Sequence, residues 1–193
     1  MRLLSRTLIL FVAMMWTGCG GSPSSPSSSA NLTVMLKDSP YSDAKALLVT
    51  FSDVSAHVAG SASDSGWTTL PFAGGATSRT CDLKKLVTAQ DVLGTGSLAA
   101  GHYTQIRLTV SNAILYFDNA STGAACAPAI AAPAGQSVQV GVPSGEVKLN
   151  REFDVSSSGA TTILVDFDGD QSVRQTGAGA YLMTPVISVV SVQ

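Results

Sequence analysis

Asp166-Phe167-Asp168-Gly169-Asp170 is the one dense acidic cluster in the chain. In an extended strand Asp166 and Asp168 project from one face, opposite Val165 and Phe167, and Asp170 falls in the turn beyond Gly169. Three carboxylates with nearby carbonyls could begin a site for a hard cation such as Ca²⁺, which takes roughly six to eight oxygens. The spacing is not that of an EF-hand. Counted from Asp166, Gln171 stands where that loop needs glycine and Gly177 where it needs a bidentate glutamate. Two other readings of the same carboxylates stay open: ion pairs across a sheet face with Arg107 or Lys148, and direct contact with a ligand. Asp38, left near a strand end by Pro40, could join any of the three.

Little else in the chain suits catalysis. The two histidines, His57 and His102, are the only side chains with an ordinary pKa near neutrality. There is no Gly-x-Ser-x-Gly elbow, His-Glu-x-x-His pair, P-loop or dinucleotide fingerprint. A Ser/His/Asp triad can be composed from so many serines, but that freedom identifies nothing. The expectation is therefore a protein that is not an enzyme. Trp67 follows the loop from Gly60 to Gly66 and opens a short strand through Leu70. A tryptophan there either covers a core edge or faces solvent, where it could stack on a sugar or anchor a partner.

The N-terminal residues give an address. Arg2 and Arg6 precede an uncharged apolar run from Leu8 to Trp16. At about nine residues it is too short to span a bilayer and fits a signal-peptide core. Trp16-Thr17-Gly18-Cys19 resembles a bacterial lipobox, with Trp16 where an aliphatic residue is usual. The resemblance implies cleavage before Cys19 and acylation of that cysteine, an anchor to the lipid bilayer. Gly20 to Ser29 is a Gly/Ser/Pro tether without apolar side chains. By the lipoprotein sorting rule, the absence of Asp at position 20 favours the outer over the inner membrane. Cleavage removes two of eleven basic residues and leaves thirteen acidic ones, a mature net charge of −4. That balance offers no footprint for nucleic acid. Cys81 and Cys126 remain as an even pair in an oxidising compartment and are expected to form a disulfide, both in loop-like surroundings. Neither has a second Cys or His at zinc-ligand spacing.

These side chains must be carried by strands. Apolar residues alternate through Leu32, Val34 and Leu36, and again through Leu47, Val49 and Phe51. After Asp53 the second run resumes as Val54, Ala56 and Val58. Period two recurs around Ile106–Val110, Val138–Val142, Val147–Val155, Ile163–Phe167 and Val186–Val192, between Gly, Ser, Asn and Pro clusters. Only Asp82 to Leu93 reads as helical, with Leu83, Leu86 and Leu93 on a loose apolar face. Leu98 through Tyr103 resembles a tyrosine corner, in which Leu98 plugs the core and the Tyr103 hydroxyl bonds back to upstream backbone. The fold expectation is all-β: an antiparallel two-sheet β-sandwich of the Greek-key, immunoglobulin- or transthyretin-like kind, with one short helical crossover. Of the 193 residues, 1–18 read as signal peptide, 19–30 as lipidated cysteine and tether, and 31–193 as a single domain.

From Leu36 to Val192 the chain resembles the bacterial lipoprotein family labelled domain of unknown function 4382. The blocks that carry the resemblance are Leu36-Lys37-Asp38-Ser39-Pro40, Leu48 to Val54 with His57, Trp67, and Asp82-Leu83 with Leu86. They continue through Gly101 to Leu108, Pro143-Ser144-Gly145 with Lys148-Leu149, Asp166-Phe167-Asp168 with Ser172-Val173, and Pro185-Val186. The segment from Ala120 to Gln136 and the cysteines at 81 and 126 depart from the pattern. The resemblance implies an envelope address and a sandwich, with no assigned activity. The functional expectation is a membrane-anchored bacterial envelope lipoprotein whose sandwich is a non-catalytic binding or structural module for an unknown protein or glycan. The alternatives are a calcium-dependent adhesion or ligand-binding domain and an envelope hydrolase.

Overall fold

Alternation of apolar and polar residues builds two sheets whose inner faces meet. The computed structural model describes residues 28–39, 41, 43–87 and 89–193. The signal segment, Cys19 and most of the tether lie outside the described residues. A four-stranded sheet has the order β13-β10-β1-β5, where β1 is Ser29–Ser39, β5 Asp91–Ala99, β10 Ala160–Asp168 and β13 Ile187–Val192. The larger sheet has nine strands. Its central pair is β2 (Ala46–Val58) and β6 (Gly101–Tyr116). Beyond β2 lie β4 (Arg79–Asp82) and β7 (Cys126–Ala127). Beyond β6 lie β8 (Ser137–Gly141), β12 (Tyr181–Met183) and β11 (Val173–Gln175). The short β3 (Trp67–Thr69) pairs with the far end of β2, and β9 (Glu146–Val155) with the far end of β6.

The core is the seam between the sheets. Leu32, Val34 and Leu36 of β1 and Ile163, Val165 and Phe167 of β10 meet Val49, Phe51, Val54 and Ala56 of β2 and Ile106 and Leu108 of β6, all fully buried. The change of parity after Phe51 is a β-bulge. The β2–β6 register shifts there, so that Phe51 and Val54 can both face inward. The corner also forms. The Tyr103 hydroxyl donates to the Ala99 carbonyl at 3.0 Å, and its ring stacks on Phe153 at 5.3 Å. Leu98 plugs the core beside it, where the chain leaves the small sheet as β5 and enters the large one as β6.

The sandwich is all-β as expected, but the expectation of purely antiparallel sheets needs correcting. β1 runs parallel to β10, and β12 runs parallel to β8. β10 reaches β1 only after the chain has built most of the larger sheet, so no hairpin fixes its direction. The helical reading of Asp82 to Leu93 is also corrected. Only a 3₁₀ turn, Leu83–Lys85, forms, capped by the Asp82 carboxylate, which accepts from the Lys84 amide at 3.2 Å. From Asp91 the chain is strand. Leu83, Leu86 and Leu93 are all buried, so one turn followed by a strand mimics a helical stripe. Three residues read as tether already belong to the fold: Ser29 and Ala30 pair with Ala99 and Leu98, and the Ser28 carbonyl accepts from the Ala100 amide at 2.7 Å. Among the described residues no helix is long and apolar enough to cross a membrane.

Candidate functional site

Three places gather polar side chains. The first lies on the outer face of the larger sheet. Trp67 is directly opposite His57 in the β2–β3 pair, with ring centroids 4.9 Å apart. The His57 nitrogens are both engaged: Nε2 donates to the Ala62 carbonyl at 3.1 Å, and Nδ1 lies 3.3 Å from the Thr104 hydroxyl. The Trp67 indole N–H donates to the Ser63 carbonyl at 3.0 Å, so the loop before β3 is tied to the ring it precedes. Gly66 closes that loop at φ +75°, and a Cβ there would collide with Ser61. From β6, the Arg107 guanidinium lies 4.3 Å from the Trp67 ring centroid, and its Nε donates to the Ser55 hydroxyl at 3.2 Å. Asp53 and Glu146 each stand 3.9 Å from Arg107. The Lys148 ammonium is 6.0 Å from the same ring. Trp67 is half-buried, packed on His57 with the Arg107 guanidinium over its ring.

The second place is the end of the small sheet, where β1 and β10 run side by side. The expected partners of the acidic cluster are corrected here. Asp166 pairs with Lys37 of β1 at 2.9 Å, while Arg107 and Lys148 belong to the other sheet. Parallel pairing sets Lys37 beside Asp166 and Ser39 beside Asp168, a neighbourhood that the sequence does not disclose. Asp168 caps the short helix α1 (Gly169–Ser172), accepting from the Gln171 amide at 2.9 Å. Asp170 is exposed in that turn. Asp38 does join this end, on the inner side. It is buried and accepts from the Gly169 amide at 3.1 Å, and its second oxygen has no hydrogen-bond partner. Burial, reinforced by the carboxylates of Asp166 and Asp168, raises the Asp38 pKa to about 8, against the opposing pull of the Gly169 amide and Lys84. Among the described residues no group of three or more His, Cys, Asp or Glu side chains is disposed to hold a metal ion.

The third place is held covalently. Cys81 and Cys126 form a disulfide, with Cα atoms 4.1 Å apart. They sit in strands rather than loops, directly opposite each other in the β4–β7 pair. Next to them Asp82, fully buried, accepts from the Leu47 and Lys84 amides and from the Ser121 hydroxyl. That network fastens the segment after β6 and is structural. Sequence reading missed Asp82 as a buried organiser. The available signal was a lone Asp beside a cysteine expected to be bonded.

A family match decides the kinship. The model for the family described as a domain of unknown function, DUF4382, matches residues 29–185. The chain belongs to this family. No curated protein and no solved structure matches it significantly. The DUF4382 match takes in all three places described above: the Trp67 face, the Asp38 end and the disulfide.

Proposed function

We propose that this DUF4382 protein is exported and anchored in the bacterial envelope through acylated Cys19, outer membrane in preference to inner, and that its sandwich serves as a non-catalytic binding module. The observation that carries the binding role is the Trp67 surface. A half-buried tryptophan with the Arg107 guanidinium over its ring and Lys148 close by has the composition of a recognition patch, in which the aromatic ring backs cations that can meet an acceptor-rich ligand. The Cys81–Cys126 disulfide supports the exported address, because such bonds persist outside the reducing cytosol.

Two measurements test the proposal. Cys19→Ala should release the protein into soluble fractions or leave an uncleaved precursor; fractionation like the wild type refutes the anchor. Of the two tryptophans, Trp16 leaves with the signal, so the emission of the mature protein reports Trp67 alone. Titration with peptidoglycan fragments and lipopolysaccharide core oligosaccharide should shift that emission if the surface binds envelope glycans. Indifference to both removes the glycan as the ligand of this face.

Calcium-dependent adhesion is the second reading. What favours it is that Asp38 Oδ2 and Asp166 Oδ1 are both buried and unpartnered at one end of the small sheet, the first on its inner side and the second on its outer side. Its test is the calcium dependence of unfolding given in the Discussion.

A further inference from the structure

The two sheets are open along one side, and the strands bordering that opening differ in character. β9 is bonded only to β6, and β13 only to β10. Among the described residues no backbone hydrogen bond joins β9 to β13. Between them lies a cleft of about 310 Å³, lined by Lys148, Leu149 and Arg151 from β9 and by Ile187, Ser188 and Val189 from β13. An edge strand leaves alternate N–H and C=O groups unpaired, and natural proteins usually blunt such edges with charge or proline. β9 is blunted in this way by Lys148, Arg151, Glu152 and Asp154. β13 is not: Ile187–Val192 has neither charge nor proline. Its one irregularity is a register shift opposite Leu164 and Val165, which leaves Ile187 to Val189 in regular pairing. Val186 and Val190 are 41% and 49% exposed, two of the three large exposed apolar residues described.

The charges at the cleft are one-sided. Glu146 is engaged with Arg107, and Glu152 and Asp154 both flank His102 on β6. Lys148 and Arg151 are exposed and make no ion pair among the described residues. A chain with more acidic than basic residues thus keeps two uncompensated cations beside a sheet edge that carries neither charge nor proline.

We propose that this edge binds an extended acidic polypeptide segment of a partner protein, which adds to β13 as a fifth strand and sets its carboxylates toward Lys148 and Arg151. The inference rests on the binding-module reading above and names a partner class and a neighbouring edge, which shares Lys148 with the Trp67 surface. Only a polypeptide offers amide donors and carbonyl acceptors at the repeat of a strand edge. A second copy of this chain fits poorly. Pairing β13 with β13 would bring no carboxylate to the cations and would face Lys148 and Arg151 with their own like charges.

The test uses the mature full-length protein and a fluorescent ten-residue peptide in which Glu alternates with Val and Thr, read by anisotropy. The peptide should bind, and its counterpart with Lys in place of Glu should not. The exposed double substitution Lys148→Glu/Arg151→Glu should weaken binding at least tenfold without moving the unfolding midpoint. Peptides N-methylated at odd or at even positions separate strand addition from charge attraction. One of the two should lose binding, and the other, whose methyl groups point away from β13, should keep it. Equal binding by both methylated peptides, an unchanged affinity in the double variant, or no binding up to millimolar peptide overturns the proposal. Binding of polygalacturonate to the same cations, with the peptide ignored, overturns strand addition and leaves the binding-module reading standing.

Discussion

The Tyr103 hydroxyl does a small, separable job. It satisfies the Ala99 carbonyl where the chain passes between sheets. Tyr103→Phe keeps the stack on Phe153 and removes only that bond, so urea unfolding should show a loss of about 0.5–1.5 kcal/mol. Asp38 gives the opposite kind of prediction. Its carboxyl has a pKa of about 8 in the folded protein and an ordinary 3.8 unfolded. Below pH 4 both states hold the proton, and the group contributes no pH dependence. Between pH 4 and pH 8 the folded state keeps a proton that the unfolded state has lost. Stability should therefore fall as pH rises, by at most about 1.4 kcal/mol per pH unit from this group. Asp38→Asn should flatten that slope and raise the midpoint at pH 8 relative to the wild type. A wild-type stability that stays level from pH 5 to pH 8 would contradict the assignment. The roles of these two residues were unequally legible. A tyrosine following Gly-His after an apolar plug is a local pattern. The burial of Asp38 depends on β10 arriving alongside β1, a long-range event.

At the scale of elements, the strands legible in the sequence are those whose inward residues are large aliphatics, such as Leu32, Val34 and Leu36 of β1. β5 escaped because glycine occupies inward places. A Cβ on Gly94 would press on Leu70 at 3.3 Å and one on Gly96 on Pro71 at 2.9 Å, since the Leu70–Pro71 segment crosses over the strand. Close backbone approach thus erased the apolar alternation that marks a strand. β7, β11 and β12 have two or three residues each, too few to show any period. The acidic cluster was legible as a cluster but not in its partners, because register between β1 and β10 is written in neither strand alone. The disulfide was legible as a pair, and its strand setting was not. It closes a 45-residue segment, so reduction should lower stability by roughly 4 kcal/mol on the chain-entropy account. Chemical unfolding with and without reductant measures this. Mass spectrometry of unreduced, alkylated protein should show the Cys81–Cys126 crosslinked peptide and no free thiol.

At the scale of the whole molecule, unfolding separates the two ligand readings. If Asp38, Asp166 and Asp168 served a cation, stability would rise with free Ca²⁺ as RT ln(1 + [Ca²⁺]/Kd), and Asp168→Asn would diminish the rise. With Asp166 already on Lys37 and Asp168 on Gln171, we expect the same thermal midpoint in chelator and in millimolar Ca²⁺ for both proteins. A calcium-dependent midpoint that vanishes in Asp168→Asn would establish the second reading. The whole fold also has a mechanical side. β1 is the first strand of the domain, yet it lies inside its sheet, held by β10 over nine paired positions and by β5 over eight. A pull from the N-terminal side acts along β1 and must shear two ladders at once, whereas β13 is held by one ladder and can peel. If the chain is held through Cys19 as proposed, its anchored end is its strongest grip, and a partner strand on β13 would slip off before the domain tore. In single-molecule stretching, handles before Ser29 should give a higher rupture force than handles placed to peel β13.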